Sequence, residues 1–147
     1  MRIFFPSALL VTSCFGQVFG IWKIDPTRSN FATDPEPRSL LVRIEPHAKG
    51  EVLTLDRTER NGQVVSSSVL LYLDGTAREF QDTGCSGTQS SRRLDRWTVE
   101  ILRECGGGEW IKFVRRLTPE GRQLVLEITE QRSGGRRLKR KLMFERQ

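Results

Sequence analysis

Residue types that usually carry chemistry are scarce in this chain. Among 147 residues there is one histidine, and cysteine occurs only three times. The lone histidine, His47, follows Pro46 at the end of a predicted strand, where it reads as an exposed loop residue. It leaves no second imidazole for a metal site, and no Cys-x-x-Cys pair compensates. The triple glycine Gly106–Gly108 is followed by neither a helix nor Lys-Ser/Thr, so it reads as a hairpin tip and not as a phosphate cradle. Long apolar runs are also missing: no stretch approaches the roughly 20 residues that a membrane-spanning helix requires. Without a nucleophile, base or metal in a workable arrangement, a non-enzyme without metal or cofactor is expected.

What is present is basic and moderately apolar. Hydrophobic residues make up 37% and charged residues 29%, a balance that supports a packed core in one ordinary domain. There are 24 Lys+Arg against 18 Asp+Glu, a formal net charge of +6. Such a balance favours acidic partners, among them anionic lipid and polyanionic glycan.

Residues 1–16 read as a secretory signal peptide. Arg2 gives the positive start, Ile3–Val11 is apolar apart from Pro6 and Ser7, and the small residues Thr12, Ser13 and Gly16 follow. Cleavage after Gly16 or after Gly20 fits, and the expected location is secreted or periplasmic. The alternative is a membrane-tethered lipoprotein, because Val11-Thr12-Ser13-Cys14 resembles a bacterial lipobox with Cys14 as the acylated residue. Removing 1–16 takes away Arg2 and no acidic residue. The remaining domain, 17–147, keeps 23 of the 24 basic residues against 18 acidic ones. Loss of Cys14 leaves Cys85 and Cys105, and in an exported protein two cysteines invite a disulfide. Two free thiols are the other reading.

The patterning beyond residue 17 is all-β. Expected strands are 18–25, 39–46, 50–57, 64–73, 76–80, 88–94, 97–105, 109–117, 123–131 and 136–146. Turn signals such as Asn61-Gly62, Asp74-Gly75 and Pro119-Glu120-Gly121 separate them. Apolar residues alternate with polar ones: Leu40, Val42 and Ile44 share a face, as do Val65, Ser67, Val69 and Leu71. Alternation of this kind marks an antiparallel sheet with one dry side. Successive hairpins make a meander, and closing a meander into a barrel removes its edges. Residues 26–38, with three prolines, form a loop across the barrel's end.

Residues 20–31, Gly-Ile-Trp-Lys-Ile-Asp-Pro-Thr-Arg-Ser-Asn-Phe, resemble the Gly-x-Trp opening of lipocalins and of the wider calycin group. The likeness is closer to small exported bacterial lipocalin-like proteins, which share Gly-x-Trp-Lys, a following Ser-x-Phe and a proline-rich loop before the second strand. That resemblance implies an antiparallel up-and-down β-barrel of eight to ten strands. It makes Trp22 the plug of the closed end, beside a basic residue of the last strand, Arg140 or Arg146.

Two arginines have the parity of inward residues: Arg115, between Phe113 and Leu117, and Arg140, between Leu138 and Leu142. Inside an apolar barrel a guanidinium must be paired or wet. One reading places Arg115 and Arg140 at the barrel mouth, binding an acidic head group, with Ser67 leaving room beside them and Phe113 filling it. The other pairs them with an interior glutamate. Arg137, Lys139 and Lys141 point the other way, to solvent. The basic run Arg136–Lys141 lacks the interleaved aromatics that stack on bases, so nucleic acid is not expected. The function expected is binding of a small hydrophobic or anionic amphiphilic ligand in the cell envelope. The alternative is a structural or interaction protein docking its basic face on an anionic membrane surface or glycan. A monomer is favoured.

Overall fold

The computed structural model describes residues 17–147; residues 1–16, expected to be a signal peptide, and Cys14 among them, lie outside the described residues. Ten strands follow one another: β1 Gly20–Ile24, β2 Ser39–His47, β3 Gly50–Thr58, β4 Val64–Leu71, β5 Arg78–Asp82, β6 Cys85–Arg93, β7 Thr98–Gly106, β8 Glu109–Leu117, β9 Gln123–Gln131 and β10 Arg137–Arg146. They form one antiparallel sheet in the order β4-β3-β2-β1-β10-β9-β8-β7-β6-β5. The first and last strands pair at the centre of the sheet, through Trp22 with Arg146 and Ile24 with Phe144. The sheet curls into a half-barrel. Its two edges are β4 and β5, consecutive in sequence yet unpaired with each other.

Alternation decides which face is dry. In β2, Leu40, Val42 and Ile44 are buried while Arg43 and Glu45 are exposed. Those residues, with Trp22, Leu124 and Phe144, form the main core. A smaller cluster of Leu71, Val99 and Ile101 joins the end of β4 to β7. Each large side chain buried here stabilises the fold by about 1.5–3 kcal/mol. Met143 is buried as well, although its neighbours Leu142 and Phe144 take the inner face. A short 3-10 turn, Pro26–Arg28, lies against β10, and Ser29 Oγ accepts from the Met143 amide at 2.9 Å.

One end of the half-barrel is closed. Trp22 is fully buried, and its Nε1 donates to the Val18 carbonyl at 2.9 Å. The Arg146 guanidinium lies 4.3 Å from the indole centroid. Its Nε donates to the Gly121 carbonyl at 2.8 Å and its Nη1 to Phe19 at 2.9 Å. Of the two last-strand arginines, Arg146 is therefore the one on Trp22, and it ties the chain's N-terminal approach to the β8–β9 turn.

The strand limits differ from expectation chiefly around β5. Asp74 accepts from the Thr76 amide at 3.0 Å and takes both terminal nitrogens of Arg78. This local network lengthens the Asp74-Gly75 turn, so the strand begins at Arg78 and not at Thr76. A tight turn at Thr83-Gly84 then brings Asp82 opposite Cys85, and β6 starts three residues before the expected 88. The Cys85–Cys105 disulfide is present and fastens that turn to the end of β7.

Candidate functional site

The inner faces of β2, β3, β4 and β7–β10 enclose a cavity of about 50 Å³. Its walls are apolar, with Val42, Leu53, Val69, Ile101, Phe113 and Phe144 among them, except for two cations, Arg103 and Arg115. A second hollow of about 90 Å³ lies in the gap between the edge strands, walled by Val69, Tyr72, Phe80, Gln89 and Ser91 among others. Val69 belongs to both, so a thin partition separates the interior from the gap. A drug-sized ligand fills about 300–1,000 Å³. The cavity as it stands holds a few waters or a small group, and a larger guest has to spread its walls.

Arg115 is 4% exposed. Its Nη2 lies 2.8 Å from Oε2 of Glu51, whose side chain is as deeply buried. The angles make no well-formed hydrogen bond: both Glu51 oxygens and Nη1 of Arg115 lack one. The contact is therefore an ion pair across the interior, from β8 to the first turn of β3. Arg93, from the end of β6, adds a second cation 3.7 Å from Glu51 Oε1. Burial pushes the Arg115 pKa down, and Glu51 opposes that.

Arg103 differs. Its Nε donates to Gln89 Oε1 at 2.8 Å, and its guanidinium sits between two rings, 4.3 Å from the Phe80 centroid and 5.0 Å from that of Phe113. The nearest carboxylate, Asp82, is 3.9 Å away and half exposed. Burial lowers the Arg103 pKa, with Asp82 a weaker opposing influence.

The residues expected to share a site part company. Arg115 and Phe113 line the cavity. Arg140 does not: it pairs with Asp34 of the first loop and with Glu130 at 3.2 Å, fastening the loop to β9 and β10. Ser67 has the inward parity of Val69 but is exposed, on the edge strand β4. Sequence reasoning missed Arg103 and Glu51. The signal for each was the strand alternation itself, which runs on from Val99 and Ile101 to Arg103 and back from Leu55 and Leu53 to Glu51.

The chain is an up-and-down antiparallel half-barrel of ten strands with Trp22 buried at one end and an apolar interior. Among solved structures, the chain is similar to the Schistosoma mansoni fatty acid binding protein in complex with arachidonic acid. The TM-score is 0.59 and the identity 11%, over 88% of this chain and 95% of that one. At that identity the likeness is one of fold. No protein-family model and no curated protein matches the sequence.

Proposed function

We propose that this protein is a non-enzymatic carrier or sensor of the cell envelope that binds a small hydrophobic or anionic amphiphilic ligand inside the half-barrel. The observation that carries this reading is the apolar cavity with guanidinium groups in its wall. The fold it shares with a fatty acid binding protein supports the same ligand class. The small volume is not an obstacle in this architecture. Because β4 and β5 exchange no ladder hydrogen bonds, they can move apart without leaving backbone groups newly unpaired. Export through residues 1–16 fits a chain whose two remaining cysteines are joined, since disulfides persist in oxidising compartments.

Native mass spectrometry of the protein purified from its own host tests the reading. A co-purifying small molecule, released on unfolding, is the expected result. A bare protein that also takes up no alkyl carboxylate or alcohol in titration would sink it. A second reading has one specific observation in its favour. Lys139 and Lys141 are exposed on the outer face of β10 and have no acidic partner among the described residues, as docking on an anionic membrane surface requires.

A further inference from the structure

We propose that Arg103 anchors the acid group of a monoanionic amphiphile, a carboxylate at the β4–β5 gap with its apolar tail directed into the cavity. This rests on the ligand-binding reading above and specifies both the ligand's charge and its orientation.

The first support is the balance of charge inside the sheet. Three arginines have inward parity along β7, β8 and β10, and two are neutralised at close range. Arg115 meets Glu51 at 2.8 Å, and Arg140 has two carboxylates, Asp34 and Glu130. Arg103 has only Asp82, 3.9 Å away and half in water. Its Nε is taken by a neutral amide, while its terminal nitrogens donate to nothing among the described residues. The Arg103 side chain is 18% exposed, so the guanidinium keeps only part of its water, and an anion arriving on it replaces what burial has removed. The terminal nitrogens present a fork that a carboxylate fills in two parallel bonds.

The second support is position. Arg103 forms part of the cavity wall, whereas its ring neighbour Phe80 and its amide partner Gln89 form part of the gap hollow. The cation thus stands at the partition between outside and inside. Phe80 and Phe113 flank it, and Phe113 continues into the cavity wall. An acid group on the fork therefore has apolar surface immediately next to it, leading inward. One available positive charge suits a carboxylate better than a phosphate monoester of nearly two charges, because Arg115 is already committed to Glu51.

Titration of decanoate and of decan-1-ol into the intact protein, followed by calorimetry and by the arginine Nε–H resonances, tests the proposal. Wild type is expected to bind decanoate at least tenfold more tightly than decanol, with the Arg103 Nε–H signal moving for decanoate and staying for decanol. Arg103→Gln removes the preference, lowering decanoate affinity about tenfold or more while leaving decanol unchanged, and Arg103→Lys restores part of it. An Arg103→Gln protein that keeps the preference overturns the proposal. So does a wild-type Arg103 signal that stays fixed while cavity methyl groups respond to decanoate, a readout that needs no variant to fold. In either case the ligand-binding reading survives. Binding of neither probe overturns both.

Discussion

Glu51 and Arg115 face each other where water does not reach, and neither can be removed alone without stranding the other. Loss of one member of a buried pair costs about 3–5 kcal/mol, whereas replacing both by apolar residues of similar volume is close to neutral. Arg115→Met is therefore expected to lower the urea midpoint severely, and Glu51→Leu combined with Arg115→Met to recover most of the loss. A single variant as stable as wild type would show that Arg93, also near Glu51, carries the charge balance instead. Arg115 is for this reason a poor probe of ligand binding, since any loss of affinity would be mixed with loss of fold. Gly87 is irreplaceable on different grounds. A Cβ there would sit 1.9 Å from the Glu104 carbonyl oxygen, and relieving that overlap forces β6 and β7 apart. Gly87→Ala should cost about 1–3 kcal/mol, read as a fall in melting temperature. An unchanged melt would mean that the backbone yields freely there.

The β5–β6 hairpin forms one wall of the hollow between the edge strands. β5 has five residues and pairs only with β6, so its stability is borrowed from the disulfide at its turn and from the clasp at its start. Closing a loop of this sequence separation, 20 residues, restricts the unfolded chain by about 3 kcal/mol. Replacing Cys85 and Cys105 together by Ser should remove about that much. In hydrogen exchange, the amides of β5 and of the first half of β6 should lose protection before those of β9 or β10. Uniform loss across the sheet would contradict a locally held hairpin. The clasp is Asp74 with Arg78, whose guanidinium also lies 3.7 Å from the Tyr72 ring centroid. Hydrogen bonds from Arg78, and then from the Thr76 amide, hold the Asp74 carboxyl well below the usual carboxylate range. With the folded value depressed, the clasp contributes in full above the unfolded pKa of about 4. Its contribution fades only as pH falls through the lower folded value. The stability advantage of wild type over Asp74→Asn should therefore stay constant from neutral pH to about pH 4 and shrink below it. An advantage that vanished near neutrality would rule the clasp out. The strands themselves were legible because each alternates, and because glycines such as Gly62, Gly75 and Gly121 adopt the positive φ their turns need. The displaced start of β5 was not legible, since it depends on Asp74 capturing the side chain of Arg78. The site was only half legible. Parity picked out Arg115 and Arg140 and was not followed along β7 to Arg103 or back along β3 to Glu51, and it does not say which inward charges meet across the interior. Nor does it say that Ser67, on the right face, would lie where the sheet fails to close.

For the molecule as a whole, the two ends and two faces divide the work. Trp22 and Arg146 seal one end, the gap between the edge strands leaves a side open, and the outer face of β10 carries Arg137, Lys139 and Lys141 into solvent. Arg137 donates to Gln131, which leaves its charge unneutralised, while Arg140 between them is drawn inward to Asp34 and Glu130. Three unpaired cations on one strand, each worth about 1 kcal/mol near an anionic bilayer, strengthen adsorption by about a hundredfold. The intact protein is therefore expected to co-sediment at low salt with vesicles containing phosphatidylglycerol and not with phosphatidylcholine alone. Binding should fall away at about 0.5 M salt, where the screening length shrinks to a few ångströms. Changing Arg137, Lys139 and Lys141 together to Gln should abolish it without altering decanoate affinity, because none of the three lines the cavity. Retention at high salt would point to apolar insertion through exposed Val64 and Val65. Wild-type binding by the triple variant would remove the β10 face from any role at a membrane.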